Sequence, residues 1–120
     1  LFRVVEPFYL PTGAYEGSIA PEELKKIDAE HEKQAADYLQ DVAGRAGLSG
    51  VTVKTEVARG KAAEKIAEYA TQNAVDLVAI ASHGRSGISR WVWGSVADRI
   101  LRSACIPVLI VRAPGCSPSF

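Results

Sequence analysis

The chain has 120 residues, of which 48% are hydrophobic and 23% charged, and its 14 basic and 14 acidic side chains give a formal net charge of zero. This length favours one domain with a single core, and the balanced charge argues against a nucleic-acid partner held by a basic surface. No apolar run approaches the ~20 residues that a membrane-spanning helix needs, and the first residues lack the pattern of a signal peptide. We therefore expect a cytoplasmic protein with no membrane partner.

The two cysteines, Cys105 and Cys116, do not have the spacing of a metal site or of a redox motif. Cys105 lies beside the last predicted strand, and we expect it to be a small buried hydrophobic residue. Cys116 lies in a tail rich in proline and serine. This use of cysteine is typical of a reducing compartment, which agrees with the cytoplasm.

The first half of the chain predicts two strands separated by a long helix. Residues 1–5 are apolar and β-rich, so they predict a strand, and residues 6–20 predict a loop. Residues 51–58 alternate between apolar and polar side chains, as a strand at a sheet edge does. Between the two strands, a proline followed by two glutamates at 21–23 suits the first turn of a helix. We expect the histidine on the apolar stripe of this helix to be a packed, structural residue. The stripe continues to about residue 46 and includes Leu24, Ile27, His31, Ala35, Leu39 and Val42.

The second half predicts two more helices and two more strands. Residues 61–73 have the propensity and the apolar spacing of a helix, and residues 95–104 predict another. Residues 75–81 are almost continuously apolar, which predicts a central strand covered on both faces. Residues 107–111 predict a last buried strand.

This alternation of strands and helices is typical of parallel βαβ units with right-handed crossovers. The sequence therefore predicts an α/β domain with an open, doubly wound parallel sheet over residues 1–113, followed by a loose tail over residues 114–120. Ligands in such sheets bind beyond the carboxyl ends of the strands. The segment ASHGRSGISRWVWGSV, residues 81–96, follows a predicted strand at this end and is the candidate site.

The end of this segment has two interpretations. Ser95 followed by Asp98 fits a capping box, in which Ser95 only caps a helix, a role worth about 1 kcal/mol. Alternatively, the free N–H groups and the positive end of the helix dipole attract an anion. Gly94 would let that anion approach the backbone without meeting a Cβ atom. Phosphate is the obvious candidate.

The rest of the loop offers backbone freedom and many hydrogen-bond donors. Its glycines allow either a nest of convergent N–H groups or an ordinary turn, and its serines and arginines either reach phosphate oxygens or are simply solvated. The histidine is a candidate ligand contact, and the tryptophans either anchor the loop on the core or stack on a base. The loop matches neither a Walker A motif nor G-x-G-x-x-G, so the residues alone predict a phosphate-bearing ligand. The glycines, serines, arginines, histidine and tryptophans of this loop are Ser82, His83, Gly84, Arg85, Ser86, Gly87, Ser89, Arg90, Trp91 and Trp93.

Residues 75–112, VDLVAIASHGRSGISRWVWGSVADRILRSACIPVLIVR, resemble the C-terminal half of universal stress protein domains. Nucleotide-binding members of that family carry G-x-x-G, nine residues, and then G-[ST]. Here the frame is Ala81–Gly84, nine residues, and then Gly94–Ser95, with alanine in place of the first glycine. The resemblance implies a Rossmann-like fold of the adenine nucleotide alpha hydrolase type. It also implies ATP as the ligand, with or without Mg²⁺, and a homodimer formed by pairing of the last strands.

The resemblance implies roles for individual residues as well. Val4 would touch the adenine, Ala81 and Ser82 would line the base and the ribose, and residues around the helix start would donate to phosphates. The family often has serine or threonine where Ala97 stands, so one hydroxyl contact would be absent. The implied nucleotide-binding residues are Val4, Ala81, Ser82, His83, Gly84, Arg85, Gly94, Ser95, Val96 and Ala97. The implied dimer-interface residues are Val108, Leu109, Ile110 and Val111.

Members of the family begin with a strand and a helix that this chain does not show. The strand lies at the centre of the family's sheet and carries an aspartate that holds the adenosine. Without it, the strands at residues 1–5 and 75–81 would flank an empty slot with unpaired backbone groups. We therefore expect a truncated, disordered or cleaved N-terminus, or a strand supplied by another chain.

Three functions are open at this point. The leading one is an ATP-binding domain acting in stress response or signalling, because Gly84, Gly94 and Ser95 are retained. The alternative is a dimerisation scaffold that binds no nucleotide, which the missing aspartate favours. The third, an enzyme of adenylyl transfer, would need a phosphate loop after the first strand. Catalysis has little support, because residues 81–97 contain no carboxylate and His83 is the only candidate base there, so any ATP hydrolysis should be slow.

Overall fold

Strands and helices alternate along the part of the chain that the computed structural model describes, which is residues 1–7, 20–47, 49–82 and 95–112. The four described strands pair in parallel, β1 with β2 and β3 with β4, as two two-stranded sheets. The predicted alternation and parallel pairing are therefore confirmed. The elements in chain order are β1 (Phe2–Val5), α1 (Pro21–Arg45), β2 (Glu56–Arg59), α2 (Ala62–Gln72), β3 (Val78–Ser82), α3 (Ser95–Ser103) and β4 (Val108–Arg112).

The first of two compact units, Leu1–Ala62, consists of β1 and β2 with α1 packed against both strands. The parallel register begins with Phe2 opposite Glu56 and ends with Val5 opposite Arg59. A helix that returns the chain from one strand to a parallel neighbour is the expected βαβ arrangement. The carboxyl ends of β1 and β2 therefore meet at one edge of this sheet.

Both ends of α1 agree with the prediction. Pro21 occupies the first turn, and two glutamates follow it at the positive end of the helix dipole. The helix ends at Arg45, after which the Ala46 N–H donates to the Val42 carbonyl at 3.0 Å. Local signals in the sequence thus place the helix to within about one residue.

The buried face of α1 contains one charged residue. Ala35 and Leu39 are buried, as the apolar stripe predicts, and Asp28 is buried with them. His31 is exposed, so the prediction that it packs in the core is wrong. The three buried residues follow one line along the helix, and His31 lies at the margin of that line, where water reaches it.

Two arginines on the strands contact α1 at opposite ends of the β1–β2 sheet. Arg59, the last residue of β2, forms an ion pair with Asp28, and its Nη1 lies 3.8 Å from Glu32 Oε1. Near the start of β1, the guanidinium carbon of Arg3 lies 4.8 Å from the centroid of the Tyr38 ring. The strand register places both arginines on the same face. One charged contact at each end therefore attaches α1 to the sheet.

The strand β2 is shorter than the strand predicted over residues 51–58. It begins at Glu56, the residue opposite Phe2, and residues 51–55 lie outside the ladder. Val51 is accordingly exposed. An alternating pattern describes the faces of a strand, but a strand forms only where a neighbouring backbone pairs with it. The prediction is therefore wrong over 51–55 and confirmed over the residues that follow.

The second compact unit, Ala63–Phe120, contains the β3–β4 sheet with α3 packed against both strands. Its register begins with Val78 opposite Val108 and ends with Ser82 opposite Arg112. The strand predicted to start at residue 75 thus starts three residues later. The carboxyl end of β3, where the candidate site was predicted, lies beside the end of β4.

The helices α2 and α3 match their predicted ranges, 61–73 and 95–104, to within one residue. Ile100 of α3 is completely buried, and Ala97, one turn before it, is almost so. Two alanines of α2 are also buried. Small and branched apolar residues at helical spacing thus form the inner faces of both helices.

One face of the β3–β4 sheet is open to solvent. The register puts Ala79 opposite Leu109 and Ala81 opposite Val111, so these four side chains share a face. Leu109 is 50% exposed and Val111 51%, and both alanines are exposed too. The predictions that β3 is covered on both faces and that β4 is buried are therefore wrong for the described part of the chain. The described helix that packs on this sheet is α3, and one helix covers one face.

Cys105 is exposed, so the prediction that it is buried is also wrong. It lies in the turn between α3 and β4, and exposed positions are usual in such connections. The carbonyl of Pro107, two residues after Cys105, accepts a hydrogen bond from the Val78 N–H at 3.0 Å and so begins the strand pairing. Cys116 and the predicted loose tail lie outside the described residues.

Candidate functional site

The candidate site is bounded by the carboxyl end of β3 and the amino end of α3. The strand ends at Ser82 and the helix begins at Ser95, and both elements belong to the same compact unit. The loop that joins them lies outside the described residues. The structure therefore describes the two anchors of the predicted phosphate loop.

The first turn of α3 combines an exposed hydroxyl with a buried small side chain. Ser95 is exposed, Val96 is half-buried, and the methyl group of Ala97 is packed inside. The first N–H groups of any α-helix lack intrahelical acceptors and carry the positive end of the dipole. This turn therefore offers one hydroxyl and several backbone donors, and Ala97 contributes only its backbone.

The acidic residue of the predicted capping box forms an ion pair on α3. The helix begins at Ser95, and the Asp98 Oδ2 atom accepts a hydrogen bond from Arg102 Nε at 3.0 Å. The capping role of Ser95 stays a prediction. Spacing of four residues puts an aspartate and an arginine side by side on a helix, and this ion pair competes with the capping contact. The four-residue spacing of Asp98 and Arg102 is the signal in the sequence that indicates this ion pair.

The end of β3 tolerates the alanine that replaces the first glycine of the family pattern. Ala81 is an exposed strand residue paired with Val111, and it has no positive φ angle, in contrast to Ala74. The backbone at this position therefore does not require glycine. Ser82 is the last residue of the strand, opposite Arg112.

The remaining predicted site residues belong to the other compact unit or lie outside the described residues. Val4 is a half-buried residue of β1, opposite Ala58, in the other compact unit. His83, Gly84, Arg85 and Gly94 lie outside the described residues, as do the other residues predicted in the loop. Their roles stay predictions.

The predicted dimer-interface residues all lie in β4, whose one edge pairs with β3. Within the described part of the chain, no strand pairs with its other edge. Val108 and Ile110 are half-buried, whereas the two residues that alternate with them, Leu109 and Val111, are exposed. Strand β4 thus combines apolar side chains with a second edge to which no described strand is paired.

Two other kinds of site are absent from the described residues. These residues contain no group of three or more histidine, cysteine, aspartate or glutamate side chains placed to hold a metal ion. Within the same ranges, no helix has both the length and the apolar character needed to cross a membrane. The cytoplasmic location stays a prediction.

Comparisons with known proteins identify the family to which this chain belongs. Residues 1–112 match the model of the universal stress protein family, and the chain belongs to that family. It is 34% identical over 82 residues to universal stress protein MJ0531 of Methanocaldococcus jannaschii, covering 68% of this chain and 48% of the relative. It is 32% identical over 89 residues to universal stress protein YxiE of Bacillus subtilis, covering 74% and 60% respectively. The chain thus spans about half of each of these relatives.

Solved structures confirm the fold. The structure of hypothetical protein MJ0577 superimposes with a TM-score of 0.71 at 22% identity, over 79% of this chain and 66% of that one. The structure of hypothetical protein PH0823 superimposes with a TM-score of 0.70 at 26% identity, over 97% and 76%. The fold is therefore α/β with parallel strands, of the Rossmann-like open-sheet class, as the sequence predicts.

Proposed function

We propose that this domain binds an adenine nucleotide, ATP, at the carboxyl end of β3 and the amino end of α3, and that it acts in stress response or signalling. Membership of the universal stress protein family supports the stress-response role. The observation that carries the nucleotide proposal is the first turn of α3. There an exposed hydroxyl, Ser95, stands at the start of a helix that follows a parallel strand, where such folds bind phosphates.

Each described residue has a defined part in this proposal. The Ser95 hydroxyl and the N–H groups of the first turn would donate to phosphate oxygens. Ala81 would leave room for the ligand at the strand end, and the resemblance adds His83, Gly84, Arg85 and Gly94 in the loop. Any Mg²⁺ would be held by the phosphates and by water, as this ion usually is.

The proposal is for binding and not for catalysis. Asp98 is the acidic residue in the first turn of α3, and its carboxylate is hydrogen-bonded to Arg102. A general base must be available to take a proton from the attacking water. The oxygen of a carboxylate that already accepts a hydrogen bond from a guanidinium is less available to that water.

Substitution of Ser95 tests the nucleotide proposal. We expect Ser95→Ala to weaken ATP binding roughly tenfold, the size of effect that loss of one hydrogen bond to a charged group produces. The measurement is isothermal titration of the purified chain with ATP. Ser103→Ala is the matched control, because the Ser103 hydroxyl donates to the Arg99 carbonyl at 2.7 Å at the other end of the same helix. Equal affinities in wild type and both variants would contradict the assignment of the site to this turn.

We also propose that the domain dimerises through β4. The exposure of two of its apolar side chains, Leu109 and Val111, supports this proposal. Leu109→Lys with Val111→Lys should shift a dimer to monomer in sedimentation equilibrium, because like charges would meet across a two-fold axis. Val51→Lys, at an equally exposed apolar position of the first unit, is the control and should not change the mass. A dimer that survives the double substitution would contradict the proposed interface. A dimer that binds no ATP would favour the scaffold function.

A further inference from the structure

The first turns of α3 carry an acidic side chain close to the proposed phosphate position. Asp98 lies three residues after Ser95 and is partly exposed. Helical side chains lean toward the amino end of their helix, and one turn rises only about 5.4 Å. A carboxylate in this position is attracted by the same positive helix end that would attract phosphate. Asp98 is therefore a built-in competitor of an anionic ligand.

Arg102 holds this carboxylate one turn further along the helix. Its Nε donates to Asp98 Oδ2 at 3.0 Å, and its side chain is largely exposed. The hydrogen bond draws the Asp98 oxygen toward the carboxyl end of α3, and the guanidinium charge offsets the carboxylate charge. Both effects reduce the repulsion that a phosphate would meet at the first turn.

We propose that Arg102 is a positioning residue that sets the phosphate affinity of the α3 amino end by binding the Asp98 carboxylate. This inference rests on the proposed nucleotide site. Arg102 does not touch the ligand in this account, since it acts through Asp98. The effect must therefore increase with the negative charge of the ligand, and it must disappear when Asp98 is neutral.

The test compares Arg102→Gln with a matched ion pair elsewhere in the chain. Arg45 lies 2.8 Å from Asp41 with the same four-residue spacing, also in the last turn of its helix and also exposed. Arg45→Gln therefore removes the same charge and the same type of contact from α1. Isothermal titration with adenosine, AMP, ADP and ATP measures the affinities of wild type and of four variants. These are Arg102→Gln, Arg45→Gln, Arg102→Lys and the double variant Asp98→Asn with Arg102→Gln.

We expect Arg102→Gln to weaken ATP binding about fivefold. The interaction of two unit charges a few ångströms apart in water corresponds to a change in affinity of about this size. The loss should shrink from ATP through ADP to AMP and vanish for adenosine, whereas a merely structural role would weaken all four ligands equally. Arg45→Gln should bind all four as wild type does. The double substitution and Arg102→Lys should restore ATP affinity to within about twofold of wild type.

The outcomes separate this inference from the proposal on which it rests. If wild type binds ATP and Arg102→Gln binds it equally well, or loses affinity for all four ligands alike, the role of Arg102 is refuted and the nucleotide site stands. If Asp98→Asn with Arg102→Gln fails to recover, the effect does not pass through Asp98 and the inference is likewise overturned. If wild type binds none of the ligands, the proposed function fails, and the inference fails with it.

Discussion

Arg59→Met should lower the free energy of unfolding by about 2–3 kcal/mol. The substitution removes the guanidinium that pairs with Asp28, a residue only 8% exposed on the inner face of α1. Removal of one partner from a fully buried ion pair typically costs ~3–5 kcal/mol, because the remaining charge loses the favourable interaction that offset its desolvation. The side chain of Arg59 is 45% exposed, so water can partly replace the lost guanidinium. We therefore expect a loss of stability at or below the lower end of that range.

The measurement is urea-induced unfolding of wild type and variants. Arg3→Met is the matched control, since Arg3 contacts the same helix from the other end of the sheet through the exposed Tyr38 ring. Loss of an exposed cation–π contact should cost only about 0.5–1 kcal/mol. Asp28→Leu combined with Arg59→Met should recover much of the loss, because it removes the buried charge. Equal losses in the two single variants would contradict this description of the β1–β2 unit.

Ile100→Ala should cost about 2–5 kcal/mol, the range for removing a large aliphatic side chain from a core. Ile100 is 0% exposed and lies in α3, the helix that packs against β3 and β4. The substitution removes apolar surface from contact and leaves a cavity that the small neighbouring residue Ala97 cannot fill.

Leu101→Ala is the control for this prediction, because Leu101 is the next residue of the same helix and is 43% exposed. The control should cost under about 1 kcal/mol, the usual size for a surface position. Urea unfolding again gives both values. If the two variants were equally stable, the inner face of α3 would have been assigned incorrectly.

The helices could be predicted from the sequence because their signals are local. Pro21 with its two following glutamates marks the start of α1, and apolar spacing marks the inner faces of α2 and α3. The candidate site was likewise predictable in outline, since a strand that ends at Ser82 and a helix that begins at Ser95 frame the segment first singled out.

What the sequence did not reveal depends on partners distant along the chain. Residues 51–55 have the pattern of a strand but lie outside the ladder between the described strands β1 and β2. Strand β3 was expected to be covered on both faces and β4 to be buried. The stripe on α1 suggested a packed His31, whereas the buried polar residue is Asp28, because Arg59 lies where it can neutralise a carboxylate. Such compensation between a helix and a strand has no local signature.

Titration of the purified chain with ATP tests the central proposal most directly. We predict saturable heat of binding with one nucleotide bound per chain, and a loss of affinity in Ser95→Ala that Ser103→Ala does not share. An absence of binding heat, together with an unchanged melting temperature when Mg·ATP is added, would contradict the nucleotide site and leave the dimerisation scaffold as the function that the fold supports.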